Sequence, residues 1–143
     1  MRILGIDLGD KRIGLALSDP LGYTAQGLDT LENKGIDRAS ASLKELCRQR
    51  DVTEIVVGLP VNMDGTEGPK AQAAREWVQR IAKETGLPVS TWDERLTSRQ
   101  AGRLMIEEGL SRQKQRLKSD QLAAILILQG YLDSKRIRRG ESN

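Results

Sequence analysis

The sequence has no histidine, no phenylalanine and a single cysteine, Cys47. The missing histidine removes Ser-His-Asp and Cys-His catalysis, histidine general bases and histidine-ligated zinc. One cysteine leaves no internal disulfide and no thiolate cluster, and Cys47 falls on the apolar side of a predicted helix, where it reads as core. No apolar run approaches the ~20 residues of a membrane span. Asp7 and Asp10 break the only early apolar stretch, so no signal peptide is expected. Any chemistry is left to carboxylates, lysines, hydroxyls and a hard metal ion.

What is present fits one domain of a soluble, cytoplasmic protein: 143 residues, 38% hydrophobic and 30% charged. The net charge of +3 and the isoelectric point near 9.2 permit a polyanionic partner without demanding one. Local clustering of the charges has to decide.

Arg2 to Leu8 and Arg12 to Ser18 read as two strands joined by Gly9-Asp10-Lys11, with a glycine at positive φ in the turn. A third strand is expected from Tyr23 to Leu31, completing an antiparallel meander. Ile36, Ala39, Leu43, Leu46 and Cys47 then recur at helical spacing and predict a helix ending near Arg50. "EIVVGL", Glu54 to Leu59, is the β-branched run of a strand covered on both faces. After the turn-rich loop "PVNMDGTEG", Pro69 opens a helix with Ala74, Trp77, Val78 and Ile81 inward, and Gly86 stops it. "PVSTW" is a fifth strand. Thr97 and Gln100 resemble a capping box for a helix carrying Ala101, Leu104 and Met105, ended by Gly109. The basic stretch "SRQKQRLKS" leads to a last helix from Asp120 to about Asp133, and residues 134–143 are expected to fray as a basic tail. The fold class is α/β: a five-stranded mixed sheet, the meander plus two parallel strands, with helices on both faces.

Within this frame Asp7 is the anomaly, because an unpaired carboxylate near the end of a buried strand costs several kcal/mol. Asp93 and Glu94 follow the fifth strand, and Asp120 opens the last helix. Side chains at the carboxyl ends of strands converge on one edge of an open sheet. A divalent cation between Asp7, Glu94 and Asp120 would compensate charges that otherwise repel. Asp120 shares a helical stripe with Ala123, Ala124 and Ile127, so it can point at the first strand. Plainer readings stand beside these: Asp120 as a helix cap, Asp10 as a turn residue, Glu94 as a partner of Arg95, and Asp93 as a brace for the following loop.

Four segments, "GIDLGDKRIGLALSD", "GLPVNMDGT", "DERLTS" and "SDQLAAILILQGYL", resemble in order and spacing the motif blocks of the bacterial YqgF family, also called RuvX or Holliday-junction-resolvase-like. The resemblance implies a ribonuclease-H-like fold and a nuclease site at Asp7, Glu94 and Asp120. It also implies processing of the 5′ end of precursor 16S ribosomal RNA in ribosome biogenesis, with Holliday junction resolution as the alternative. A noncatalytic nucleic-acid-binding factor on the same fold is the third reading, and an actin-like ATPase fails for want of a second lobe. The departure from the family is the lack of phenylalanine, with Trp77 where an aromatic is common.

Nuclease chemistry of this kind calls for two Mg²⁺ or Mn²⁺ ions, with Asp7 bridging both and Glu94 and Asp120 each completing one site. Lys11, Arg12, Arg95 and Lys118 are the expected contacts to phosphate, with Arg112, Lys114 and Arg116 nearby. Asn62, Asp64, Gly65 and Thr66 can either present amides to a phosphate or close an ordinary turn. Tyr23 and Tyr131 stand isolated, so recognition through backbone and shape is expected in preference to base stacking. The expected partners are structured RNA, branched DNA or a precursor ribosomal particle, bound by a monomer or homodimer.

Overall fold

The computed structural model describes the backbone of residues 1–95 and 112–140, and the side chains of 1–95 and 120–140. Strands β1 (Arg2–Leu8), β2 (Arg12–Ser18) and β3 (Ala25–Glu32) form the expected meander. Helix α1 (Ile36–Gln49) then leads to β4 (Val52–Leu59), α2 (Pro69–Thr85), β5 (Val89–Asp93) and α3 (Arg112–Arg138). The sheet order is β3-β2-β1-β4-β5, with β4 parallel to both β1 and β5. Central β1 therefore ends with its carboxyl terminus beside those of β4 and β5.

Alternation along the strands divides the core in two. Leu4 and Ile6 of β1, Ile13, Leu15 and Leu17 of β2, and Ile55 and Val57 of β4 pack with Ala39, Leu43 and Cys47 of α1 and Ile81 of α2. Ala16 and Val56, from the intervening positions, pack on the other face with Ala124, Ile127, Leu128 and Leu132 of α3. Asp7 shares the parity of Gly5, which faces Leu128, so Asp7 lies on the α3 side. Cys47 is buried as expected, and burial pushes its thiol up to about 11, which leaves it inert at neutral pH.

The close seat of α3 depends on glycines in the sheet. A Cβ at Gly14 would stand 2.1 Å from the carbonyl oxygen of Asp120, and one at Gly5 would stand 2.7 Å from Leu128 Cβ. Ala123 and Ala124 are buried at this contact, as the helical stripe predicts. The helix approaches the sheet because both surfaces are small.

Several boundaries differ from the sequence reading. Gly9 does not have a positive φ. Its lack of a side chain matters for space, since a Cβ there would meet the Arg12 carbonyl oxygen at 2.3 Å. β3 starts at Ala25 rather than Tyr23, because the Asp19 carboxylate accepts the amides of Leu21, Tyr23 and Thr24 and holds them in a loop. α3 is already helical at Arg112, so the basic stretch from there on is helix and Asp120 lies well inside it rather than at its cap. The expected frayed tail is helical as far as Arg138. The predicted capping box at Thr97 and Gln100, and the helix carrying Ala101, Leu104 and Met105 to Gly109, lie outside the described residues. No helix among the described residues is long and apolar enough to cross a membrane.

Candidate active site

Asp7 is paired across β1 and β2 with Gly14, and that pairing sets the site. The position of a Cβ on Gly14 lies 3.4 Å from Asp7 Cβ and 2.1 Å from the Asp120 carbonyl, so the helix sits directly above the carboxylate. Glu94 follows β5, and its amide donates to the Leu59 carbonyl at 3.2 Å. Its side chain turns inward over β4 through space left by Gly58, where a Cβ would stand 2.8 Å from Glu94 Cδ. Two strand ends and one helix thus deliver the acids.

Asp7 and Glu94 are half-buried and hydrogen-bonded to each other. Burial first, then the bond to Asp7 and the charges of Asp7 and Asp93, push the Glu94 carboxyl up to about 9. Burial also raises Asp7, and the nearby charge of Asp120 adds to the rise, while the hydrogen bond from Glu94 opposes it. Both carboxyls are thereby pushed above their ordinary range, and the two titrate as a pair.

Asp120 lies close enough for its charge to bear on Asp7 but is held by a different partner. Arg12 Nε donates to Asp120 Oδ2 at 2.8 Å, in a partly buried ion pair. Of the three acids expected at one edge, two are bonded to each other and the third is paired with Arg12 beside them. Among the described residues no three ligating side chains form a ready group for a metal. The donor set suits Mg²⁺ or Mn²⁺, because all three are hard carboxylate oxygens and a cation would relieve the pressure that raises the Asp7 and Glu94 carboxyls.

The expected phosphate contacts divide in the same way. Lys11 is exposed at the tip of the β1–β2 turn, while Arg12 is engaged by Asp120. Arg95 pairs with Asp93 through Nε and Nη2 at 2.8 and 2.7 Å, so Glu94 is not its partner and Asp93 is the brace. Lys118 lies in α3, its side chain outside those described, as are those of Arg112, Lys114 and Arg116. The loop after β4 closes on itself: the Asp64 carboxylate accepts Thr66 N and Oγ1 at 3.0 and 2.6 Å, and Gly65 takes φ 88. That is the ordinary-turn reading of Asn62 to Thr66.

Other residues at the site were missed. A cleft of about 430 Å³ runs beside the acids, lined by Asp7, Asp10, Asn33, Lys70, Trp77 and Glu94 among others. Asn33 Nδ2 donates to the Gly9 carbonyl at 2.8 Å and fixes the turn beside Asp7. Gly58 makes room for Glu94; a glycine inside the β-branched run "EIVVGL" was the available signal. Tyr131, expected to be isolated, packs edge-on against Trp92 with centroids 6.3 Å apart and donates to Glu54.

The family model described as RuvX, Holliday junction resolvase, matches residues 1–134. The chain belongs to the RuvX family. A relative from Moorella thermoacetica, named as a pre-16S rRNA nuclease, is 54% identical over 133 residues, which cover 93% of this RuvX chain and 95% of that protein. One from Pelotomaculum thermopropionicum, with the same name, is 52% identical over 143 residues, covering 99% and 93%. Among solved structures, RuvC of T. thermophilus in complex with a Holliday junction substrate superposes with a TM-score of 0.57 at 21% identity, covering 98% of RuvX and 97% of that chain. The fowlpox virus Holliday junction resolvase gives 0.59 at 14% identity, covering 94% and 99%. The fold is ribonuclease-H-like, as the motif blocks imply.

Proposed function

We propose that this RuvX chain, a nuclease by its family, hydrolyses phosphodiester bonds at the 5′ end of precursor 16S ribosomal RNA. The observation that carries the reading is the half-buried, hydrogen-bonded carboxyl pair Asp7–Glu94 at the carboxyl end of the central strand, with Asp120 beside it. The names of the relatives supply the substrate.

Asp7, Glu94 and Asp120 are the residues that would hold divalent ions, Mg²⁺ or Mn²⁺. Bound there, such ions activate a water and offset charge on the leaving oxygen. The chain's own part is to hold the acids in place. The sheet fixes Asp7, Gly58 admits Glu94, and Gly14 lets α3 bring Asp120 close. Arg12, paired with Asp120, brings a guanidinium to the same edge.

The test is cleavage of a labelled precursor ribosomal RNA, an unstructured RNA and a four-way DNA junction in Mn²⁺, alongside Asp7→Asn. Precursor cutting that the variant lacks, with its RNA binding intact, is expected. Preferential cutting of the junction would move the substrate to DNA recombination. Binding without cutting by either protein would make the chain a binding factor.

A further inference from the structure

The cleft has a wall the acids do not explain. Lys70, Ala73, Ala74 and Trp77 of α2 line it, spaced i, i+3, i+4 and i+7, so one helical stripe faces the space beside Asp7 and Glu94. A cation stands at one end of the stripe and an aromatic at the other, with two alanines leaving the wall low between them. The separation along the axis is about 10 Å.

Each end is suited to a different part of a nucleotide. Lys70 has no carboxylate partner among the described residues, whereas Arg12 and Arg95 are both engaged. It also lies in the first turn of α2, where the helix dipole adds positive potential and Gly68 places no capping side chain in the way. Trp77 is half-buried: part of it packs against the core and part borders the cleft. A ring held in that manner loses little freedom when a base stacks on it.

Resting on the nuclease reading above, we infer that this wall is a nucleotide subsite: Lys70 takes a phosphate flanking the scissile one and Trp77 stacks on an unpaired base. The occupant is a single strand, since a paired and stacked base offers no free face to an aromatic ring. The substrate class narrows accordingly to RNA or DNA whose cut site borders an unpaired nucleotide.

The chain has two tryptophans, and Trp92 packs away from the cleft against Tyr131. In Trp92→Phe protein, emission then reports on Trp77 alone. A short single-stranded RNA is titrated in Ca²⁺, with cleavage of the precursor ribosomal RNA in Mg²⁺ run beside it. Saturable quenching is expected. Trp77→Leu should weaken binding about 5- to 100-fold, and Lys70→Ala should lower the salt slope by about 0.7. An RNA carrying one abasic position, walked along the strand, should reproduce the Trp77 loss at a single site, which keeps the result independent of any folding defect in the leucine variant. RNA bound without quenching and at native affinity by Trp77→Leu would overturn the subsite while Mg²⁺ cleavage left the nuclease reading intact. Quenching without cleavage would do the reverse, and failure to bind any strand would remove both.

Discussion

Glu94 carries a stability cost that its chemistry explains. Its carboxyl titrates near 9 in the folded protein against 4.5 for the ordinary group. Between those values the folded state keeps a proton that the unfolded chain releases, so stability falls as pH rises through the window. Glu94→Gln keeps the hydrogen bond and removes the titration. In chelator at pH 8.5 it is expected to unfold at higher denaturant than the native chain, by about 1–2 kcal/mol, with the advantage shrinking at pH 5. Cleavage should be lost in the same protein. A variant less stable at both pH values would show that the carboxyl is not held against its own ionisation.

At the scale of elements, two glycines separate support of the fold from support of the site. A methyl at Gly14 meets the backbone carbonyl of Asp120, and backbone in a long helix cannot step aside locally. Gly14→Ala should therefore cost about 1–3 kcal/mol in chemical denaturation. A methyl at Gly58 meets side chains instead, Ile127 Cδ1 at 2.5 Å and Glu94 Cδ and Cγ at 2.8 Å. Gly58→Ala should cost less stability than Gly14→Ala, because side-chain ends yield where backbone does not, and should cut the cleavage rate about 100-fold by displacing the Glu94 carboxyl. The five strands and the odd acid in β1 were legible in the sequence because apolar period and turn residues report them directly. The helical state of the basic stretch before Asp120 was not, because "RQKQRLKS" consists largely of good helix formers without an apolar stripe, so periodicity failed where propensity alone decided. Asp120 then looked like a cap. The Arg12–Asp120 and Arg95–Asp93 pairs were equally hidden: a charge's partner depends on register and rotamer, neither of which is written in spacing. Trp77 was read as core from its position on the α2 stripe, and only the cleft reveals its second face.

Taken as a whole, the molecule should couple protons, metal and stability. A cation at Asp7 and Glu94 displaces the proton that Glu94 holds, so metal binds more tightly as pH rises toward about 9. The increase in Tm on adding saturating Mg²⁺ should accordingly be larger at pH 8.5 than at pH 6, by thermal unfolding followed in both buffers. Equal increases at the two pH values would place the ion away from this pair.

The mounting of α3 bears on how Asp120 is placed. Its distal half is fixed by Leu128 and Leu132 in the core, by Tyr131 and Lys135 on Glu54, and by Gln129 on the Ala25 amide. Toward the catalytic edge the described side-chain bonds to the sheet are Gln121 on the Leu28 carbonyl and Asp120 on Arg12. With the Asp120 carbonyl seated against Gly14 and the far half of the helix anchored in the core, the distance from Asp120 to β1 is inherited from the packing of α3 as a whole, so a change in the core at Leu128 or Leu132 should reach the active edge.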